Sequence, residues 1–170
     1  MRDDLTRAAF DEEGFYRIGD AVKLADPADA SKGLVFDGRV AEDFKLTTGT
    51  WVNVGTVRVK LIAAADPLIQ DAVITGHDRD EVGALVFLTP AARALSPDER
   101  RARLAAALGK LAAEGGSSTH PARLLVADEP PSIDANEITD KGYMNQRAVL
   151  ERRAALVARL YSADPEVICA

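Results

Sequence analysis

The apolar positions change their rhythm along the chain. Up to about residue 40 they come in short clusters, FYRIG (15–19), AVKLA (21–25) and GLVF (33–36), interrupted by DEEG and DPADASKG. Such clusters predict short strands, with the chain turning at Asp26-Pro27 and over 31–33. After residue 38 the pattern lengthens. Residues 44–47 and 51–52 read as extended, and Asn53 is placed to cap a helix with Val54, Val57, Leu61 and Ile62 on one face, stopped by Asp66-Pro67. DAVITG (71–76) and ALVFL (84–88) form a hairpin across the charged turn HDRDEVG. Ser96 then caps a helix with Pro97 in its first position and Glu99 completing a capping box; Leu104, Leu108 and Leu111 give its apolar stripe, and Gly115-Gly116 end it. RLLVAD (123–128) is a further strand. A loop opens at Pro130-Pro131 and runs to Gly142. The last helix, 144–162, buries Val149, Leu150, Leu156, Val157 and Leu160, while Glu151, Arg152, Arg153 and Arg159 form a solvated face.

The order strand, helix, strand, strand, helix, strand, helix predicts an α+β fold: a small sheet of short strands flanked by about three helices, preceded by a short β-rich lead-in. The lead-in holds too few apolar residues for a core of its own, which makes it the tail of something larger. Composition adds limits. With 47 % hydrophobic and 28 % charged residues, the 170-residue chain is ordinary globular material. Its net charge of −6 argues against a nucleic acid or an anionic membrane as partner. No apolar stretch approaches a membrane span. The first residues, MRDDLTRAAFDEEG, lack the apolar centre of a signal peptide, and the single cysteine, Cys169, suits a reducing cytoplasm.

The residues alone offer no reaction. His77 and His120 are far apart, with no HxxH or CxxC spacing, so no metal site is expected. There is no GxSxG and no dinucleotide fingerprint. LTTGTW (46–51) lacks the second glycine and the lysine of a phosphate loop, so a turn is the better reading. One stretch stands out: in EITDKGYMNQRAV (137–149), Lys141 is followed at once by Gly142, at the end of a long loop. That placement suggests a flexible approach through which a lysine reaches a ligand.

Three segments in order carry a resemblance: GFYRIGD (14–20), GRVAEDFKLTTGTWV (38–52) and EITDKGYMNQRAV, with DAVITGHDRDEVGALVFL between them. They resemble the C-terminal motifs of the acyl- and aryl-adenylate-forming enzymes (acyl-CoA synthetases, luciferases, adenylation domains). The wording is most similar to that of feruloyl-CoA synthetases and their relatives. In that family a carboxylate attacks ATP, with Mg²⁺, to give acyl-AMP and pyrophosphate, and a thiol, usually of CoA, then displaces AMP. The resemblance implies that Lys141 is the adenylation lysine. It departs from the family's G-K-x-x-R, because the glycine follows the lysine and Arg147 stands six residues on; Arg147 is then a helix residue only.

The resemblance further implies that Asp20 and Arg39 bind the ribose hydroxyls of ATP or AMP, their alternatives being a turn aspartate and a surface arginine. A hinge lies at Glu42 or Asp43, with Glu42 preferred. Lys45 opens a loop that faces the active site after rotation, and Gly49 and Trp51 flank a channel for the pantetheine arm of CoA; a half-buried strand aromatic is the alternative for Trp51. Residues 1–40 would be the tail of a large N-terminal adenylation domain plus the hinge, and 41–170 a small mobile C-terminal domain. The phosphate loop, adenine pocket and acyl pocket would belong to that N-terminal domain, which would act in cis and hold most of the ATP, CoA and Mg²⁺ contacts. The expected activity is that of an ATP-dependent aryl-CoA ligase acting on an aromatic acid such as a hydroxycinnamate, and this chain would be inert alone. Two other readings stay open: a free-standing CoA- or protein-binding module without catalysis, and an adenylating enzyme with a different acceptor, such as a carrier-protein thiol.

Overall fold

The computed structural model describes residues 3–170, apart from the side chains at 37 and 38. The chain divides into two compact units, Met1–Ala41 and Glu42–Ala170.

The first unit begins with a short helix, α1 (Asp3–Ala8), which no apolar stripe announces. An antiparallel hairpin follows, β1 (Asp20–Leu24) against β2 (Leu34–Arg39), in the register Val22↔Phe36 and Leu24↔Leu34. Its turn is built by aspartates: Asp26 accepts from the Ala28 amide and pairs with Lys32 at 2.7 Å, and Asp29 caps the 3-10 turn Ala30–Lys32. The strand expected over 15–19 is absent. Asp11 Oδ1 draws in the amides of Glu13 and Phe15 and curls that segment, leaving a single bridge between Phe10 and Tyr16. No described side chain of this unit is buried; Phe15, Ile18, Leu34 and Phe36 are all exposed.

The second unit opens on a small hairpin, β3 (Phe44–Lys45) with β4 (Trp51–Val52), and then α2 (Val54–Ala64). A four-stranded sheet follows in the order β5 (Ile69–Thr75), β6 (Gly83–Leu88), β7 (Arg123–Val126), β8 (Ile168–Cys169). The β5–β6 pair is the expected hairpin, and β7 runs parallel to β6 after a crossover through α3 (Pro90–Arg93) and α4 (Pro97–Glu114). Ser96 caps α4 by accepting from the Glu99 amide, but the Glu99 carboxylate holds Arg103 at 2.7 Å, one turn on. The chain ends with α5 (Gln146–Arg152), α6 (Ala154–Leu160) and β8.

The sheet is covered on both faces, so β6 is buried along its whole length, as a continuous apolar run requires. Ala84, Val86 and Leu88 face Leu61, Leu104, Leu108 and Leu111 of α2 and α4. Leu85 and Phe87 face Val149 and Leu160 of the last two helices. Each fully buried Leu or Val contributes about 1.5–3 kcal/mol. At Gly83 a Cβ would lie 2.8 Å from Leu160 Cδ2, at the end of α6, and 2.8 Å from the hydroxyl of Tyr161 just after it. The expected single helix over 144–162 is interrupted at Arg153, although the amide of Arg153 still donates to Val149 and that of Val157 to Arg153 across the break.

Candidate functional site

In the first unit, the β1–β2 register sets Asp20 directly opposite Arg39. A bulge follows Asp20, and Gly19 before it has φ +78°. The carboxylate and the guanidinium stand 4.0 Å apart, both largely open to solvent. This places an acceptor and a fork of donors side by side, which suits a vicinal diol.

At the start of the second unit, Asp43 Oδ1 accepts from the Val54 amide at 2.9 Å, and Asn53 accepts from Thr56 at 2.7 Å. Two side chains thus satisfy orphan amides at the first turn of α2. Asp43 is therefore part of the α2 cap, while Glu42 sits at the boundary between the units.

The loop between β3 and β4 is a tight turn. Leu46 donates to Thr50 O, Gly49 donates to Leu46 O, and Gly49 has φ +81°. This is a three-residue hairpin loop closed by a glycine in the left-handed region. Nothing approaches the position of a Cβ on Gly49, so its backbone angle and not crowding calls for glycine. Thr47 docks the loop on the β5–β6 turn, its amide donating to Arg79 O and its hydroxyl to Asp80 at 2.6 Å. With those groups bonded within the protein, the segment is a turn and not a phosphate cradle. Above it, the Lys45 ammonium lies 5.0 Å from the centre of the Trp51 ring. Trp51 is 62 % exposed, which removes the half-buried alternative.

Lys141 occupies the same kind of turn. Thr139 donates to Tyr143 O, Gly142 donates to Thr139 O, and Gly142 again has φ +81°. Ile138 and Met144 bridge at its base, with Met144 buried. Lys141 and Tyr143 project into solvent. Gly142, in the left-handed region, closes this hairpin and places Lys141 at its tip.

Beneath this turn lie residues the sequence reading passed over. Arg153, expected on a solvated face, is 10 % exposed and forks onto Glu137, which is 0 % exposed. The distances are 2.7 Å from Nε to Oε1 and 2.8 Å from Nη2 to Oε2. The Arg153 guanidinium holds the Glu137 carboxyl below the usual carboxylate range against the opposing effect of burial, and is itself raised in return. Gln146, also buried, accepts from the Ile74 amide of β5 at 3.0 Å. A signal was available: Gln146, Val149, Arg153, Leu156 and Leu160 fall at three- and four-residue spacing, so Arg153 belongs to the buried stripe. Arg147 is 87 % exposed and pairs with Glu151 along the helix surface. Among the described residues no group of histidines, cysteines and carboxylates could hold a metal. None of their helices is long and apolar enough to cross a membrane.

Residues 43–165 match the family described as AMP-binding enzyme C-terminal domain. Carboxylic acid reductase from Segniliparus rugosus is 26 % identical over 166 residues, which is 95 % of this chain and 14 % of that protein. The adenylation domain of the carboxylate reductase from Mycobacterium chelonae has a TM-score of 0.78 and 27 % identity, covering 94 % of this chain and 25 % of that one. The A-PCP didomain of carboxylic acid reductase from Segniliparus rugosus, solved in complex with AMP, has a TM-score of 0.75 and 27 % identity over 95 % of this chain and 22 % of its own. The chain thus spans about a seventh of the reductase and a quarter or less of these solved chains.

Proposed function

This chain belongs to the AMP-binding enzyme C-terminal domains of the adenylate-forming superfamily, and on that premise we propose that it is the mobile domain of an ATP-dependent aryl-acid ligase, with Lys141 as its adenylation lysine. The observation that carries the reading is Lys141 at the tip of a closed hairpin with its ammonium in solvent. When a carboxylate oxygen attacks the α-phosphorus of ATP and pyrophosphate departs, negative charge gathers between the carboxylate and the phosphate. A compact ammonium on a four-carbon stem can bridge the two.

The remaining roles follow in the same reading. Asp20 accepts from the ribose hydroxyls of the nucleotide and Arg39 donates to their oxygens. Asp43 caps α2, so the hinge falls to Glu42. Rotation there presents the Lys141 hairpin for the first half-reaction and the Lys45–Trp51 hairpin for the second. In the second step, Lys45, Gly49 and Trp51 flank the pantetheine arm of CoA. Residues 1–40 belong to the tail of a larger N-terminal adenylation domain and 41–170 swing against it. That domain supplies most contacts to ATP, and any Mg²⁺ is held there. The aromatic acid, a hydroxycinnamate such as ferulate, is proposed from the wording of the three motifs.

A second reading changes only the acceptor: AMP is displaced by a carrier-protein thiol instead of CoA. The similarity to the A-PCP didomain favours it. Pyrophosphate exchange and thioester formation from supplied acyl-AMP, measured separately in the complete enzyme with CoA and with a carrier thiol, test both readings. Lys141→Ala should lower exchange by about 100-fold or more and spare thioester formation. Equal loss of the two half-reactions overturns the role of Lys141.

A further inference from the structure

Resting on that reading of Lys141, we propose that Glu137 and Arg153 are its positioning residues, a buried ion pair that fixes the hairpin carrying the lysine. Glu137 stands one residue before the bridge at the base of the hairpin, and every polar group it has is bonded. Its amide donates to Ser132 O and its carbonyl accepts from the Asn145 amide, both at 2.9 Å. Its carboxylate accepts from the Ser132 amide at 2.8 Å and from both arms of the Arg153 fork. The arms of the loop before and after the hairpin thus meet at one residue.

Arg153 ties that residue to the body of the domain. Its Nη1 donates to Glu129 O and its Nη2 to Pro130 O, each at 2.9 Å, and its guanidinium lies 5.1 Å from the centre of the Phe87 ring on β6. The exit of the loop is held independently. Asn145 caps α5 by accepting from the Ala148 amide, and Gln146 is bonded to β5. Two further charges act on the pair: Arg152 on Glu137 and Glu129 on Arg153.

Stability alone does not call for this arrangement. Apolar side chains of similar volume often serve as well as a buried ion pair or better, because two charges must lose their water. A planar fork on a carboxylate adds a fixed orientation, which an apolar plug does not give. An adenylation lysine needs that orientation, since a misplacement of about 1 Å can lower a rate on the order of 100-fold.

The test uses the complete enzyme with Glu137→Gln, Arg153→Lys, Arg153→Met and Lys141→Ala. Three quantities are followed: thermal midpoint, amide exchange at Gly142 and Tyr143, and the two half-reactions measured apart. The Glu137 and Arg153 variants should lose protection at Gly142 and Tyr143 by a larger factor than the amides of β5 and β6 lose through the fall in global stability. Adenylation should fall by about 10- to 100-fold, with thioester formation from supplied acyl-AMP unchanged. Arg153→Lys keeps the charge without the fork, so it should retain more adenylation than Arg153→Met. Unchanged exchange, unchanged adenylation, or a parallel fall of both half-reactions with the folded fraction would each overturn the proposal. Full adenylation by Lys141→Ala would overturn the reading of the lysine, and this inference with it. That arm separates the two failures, because the effect of the pair on exchange at Gly142 and Tyr143 is read independently of it.

Discussion

Lys141 owes its place to its neighbours more than to itself. Gly142 takes φ +81°, a region an L side chain enters only with strain, and no atom lies near the position of its Cβ. Gly142→Ala should therefore destabilise the domain by only about 1 kcal/mol, through the backbone alone, as urea denaturation would show. Arg153 is the opposite case. Arg153→Ala strands a buried carboxylate and should cost about 3–5 kcal/mol by the same measurement. The pair also carries a pH signature. The folded pKa of Glu137 lies below its ordinary value. Its stabilisation is therefore present above about pH 4.3 and is lost as pH falls through the lower folded value. Acid titration of the Gly142 and Tyr143 amide exchange should show protection falling in that range, and Glu137→Gln should remove the dependence. At this scale the turn at Lys141-Gly142 was legible as the end of a loop. Its support was not, because a lone Arg in a run of charged residues reads as solvated unless its place on the apolar stripe is weighed against its charge.

Elements were legible where local chemistry and core pattern agree. α4 has Ser-Pro at its start, leucines on one face and glycines at its end, and the helix spans Pro97–Glu114. The β5–β6 hairpin is apolar on both sides of a charged turn, and both strands form. The misses have physical causes. α1 and β8 are too short to carry a period. The break at Arg153 has neither proline nor glycine to mark it. Asp43 was weighed only as a hinge residue, although it accepts from the first amide of α2. Asp43→Ala should lower the stability of the second unit by about 1 kcal/mol, seen as a lower denaturation midpoint with the two half-reactions still in their normal ratio. A hinge role for Asp43 would instead change that ratio.

At the scale of the whole molecule the two units differ in what they bury. The second covers both faces of its sheet, while the first has no buried described side chain. A fragment of residues 42–170 should unfold cooperatively on heating, and a fragment of residues 1–41 should give the circular dichroism of an unordered chain. The α+β class and the sheet with flanking helices follow from the apolar pattern. In the proposed division of labour, Lys141 serves the first half-reaction and not the second. The most direct test is the ratio of pyrophosphate exchange to thioester formation from supplied acyl-AMP, in the complete enzyme carrying Lys141→Ala. The ratio should fall by about 100-fold or more with thioester formation intact; a ratio equal to that of the wild type would contradict the account.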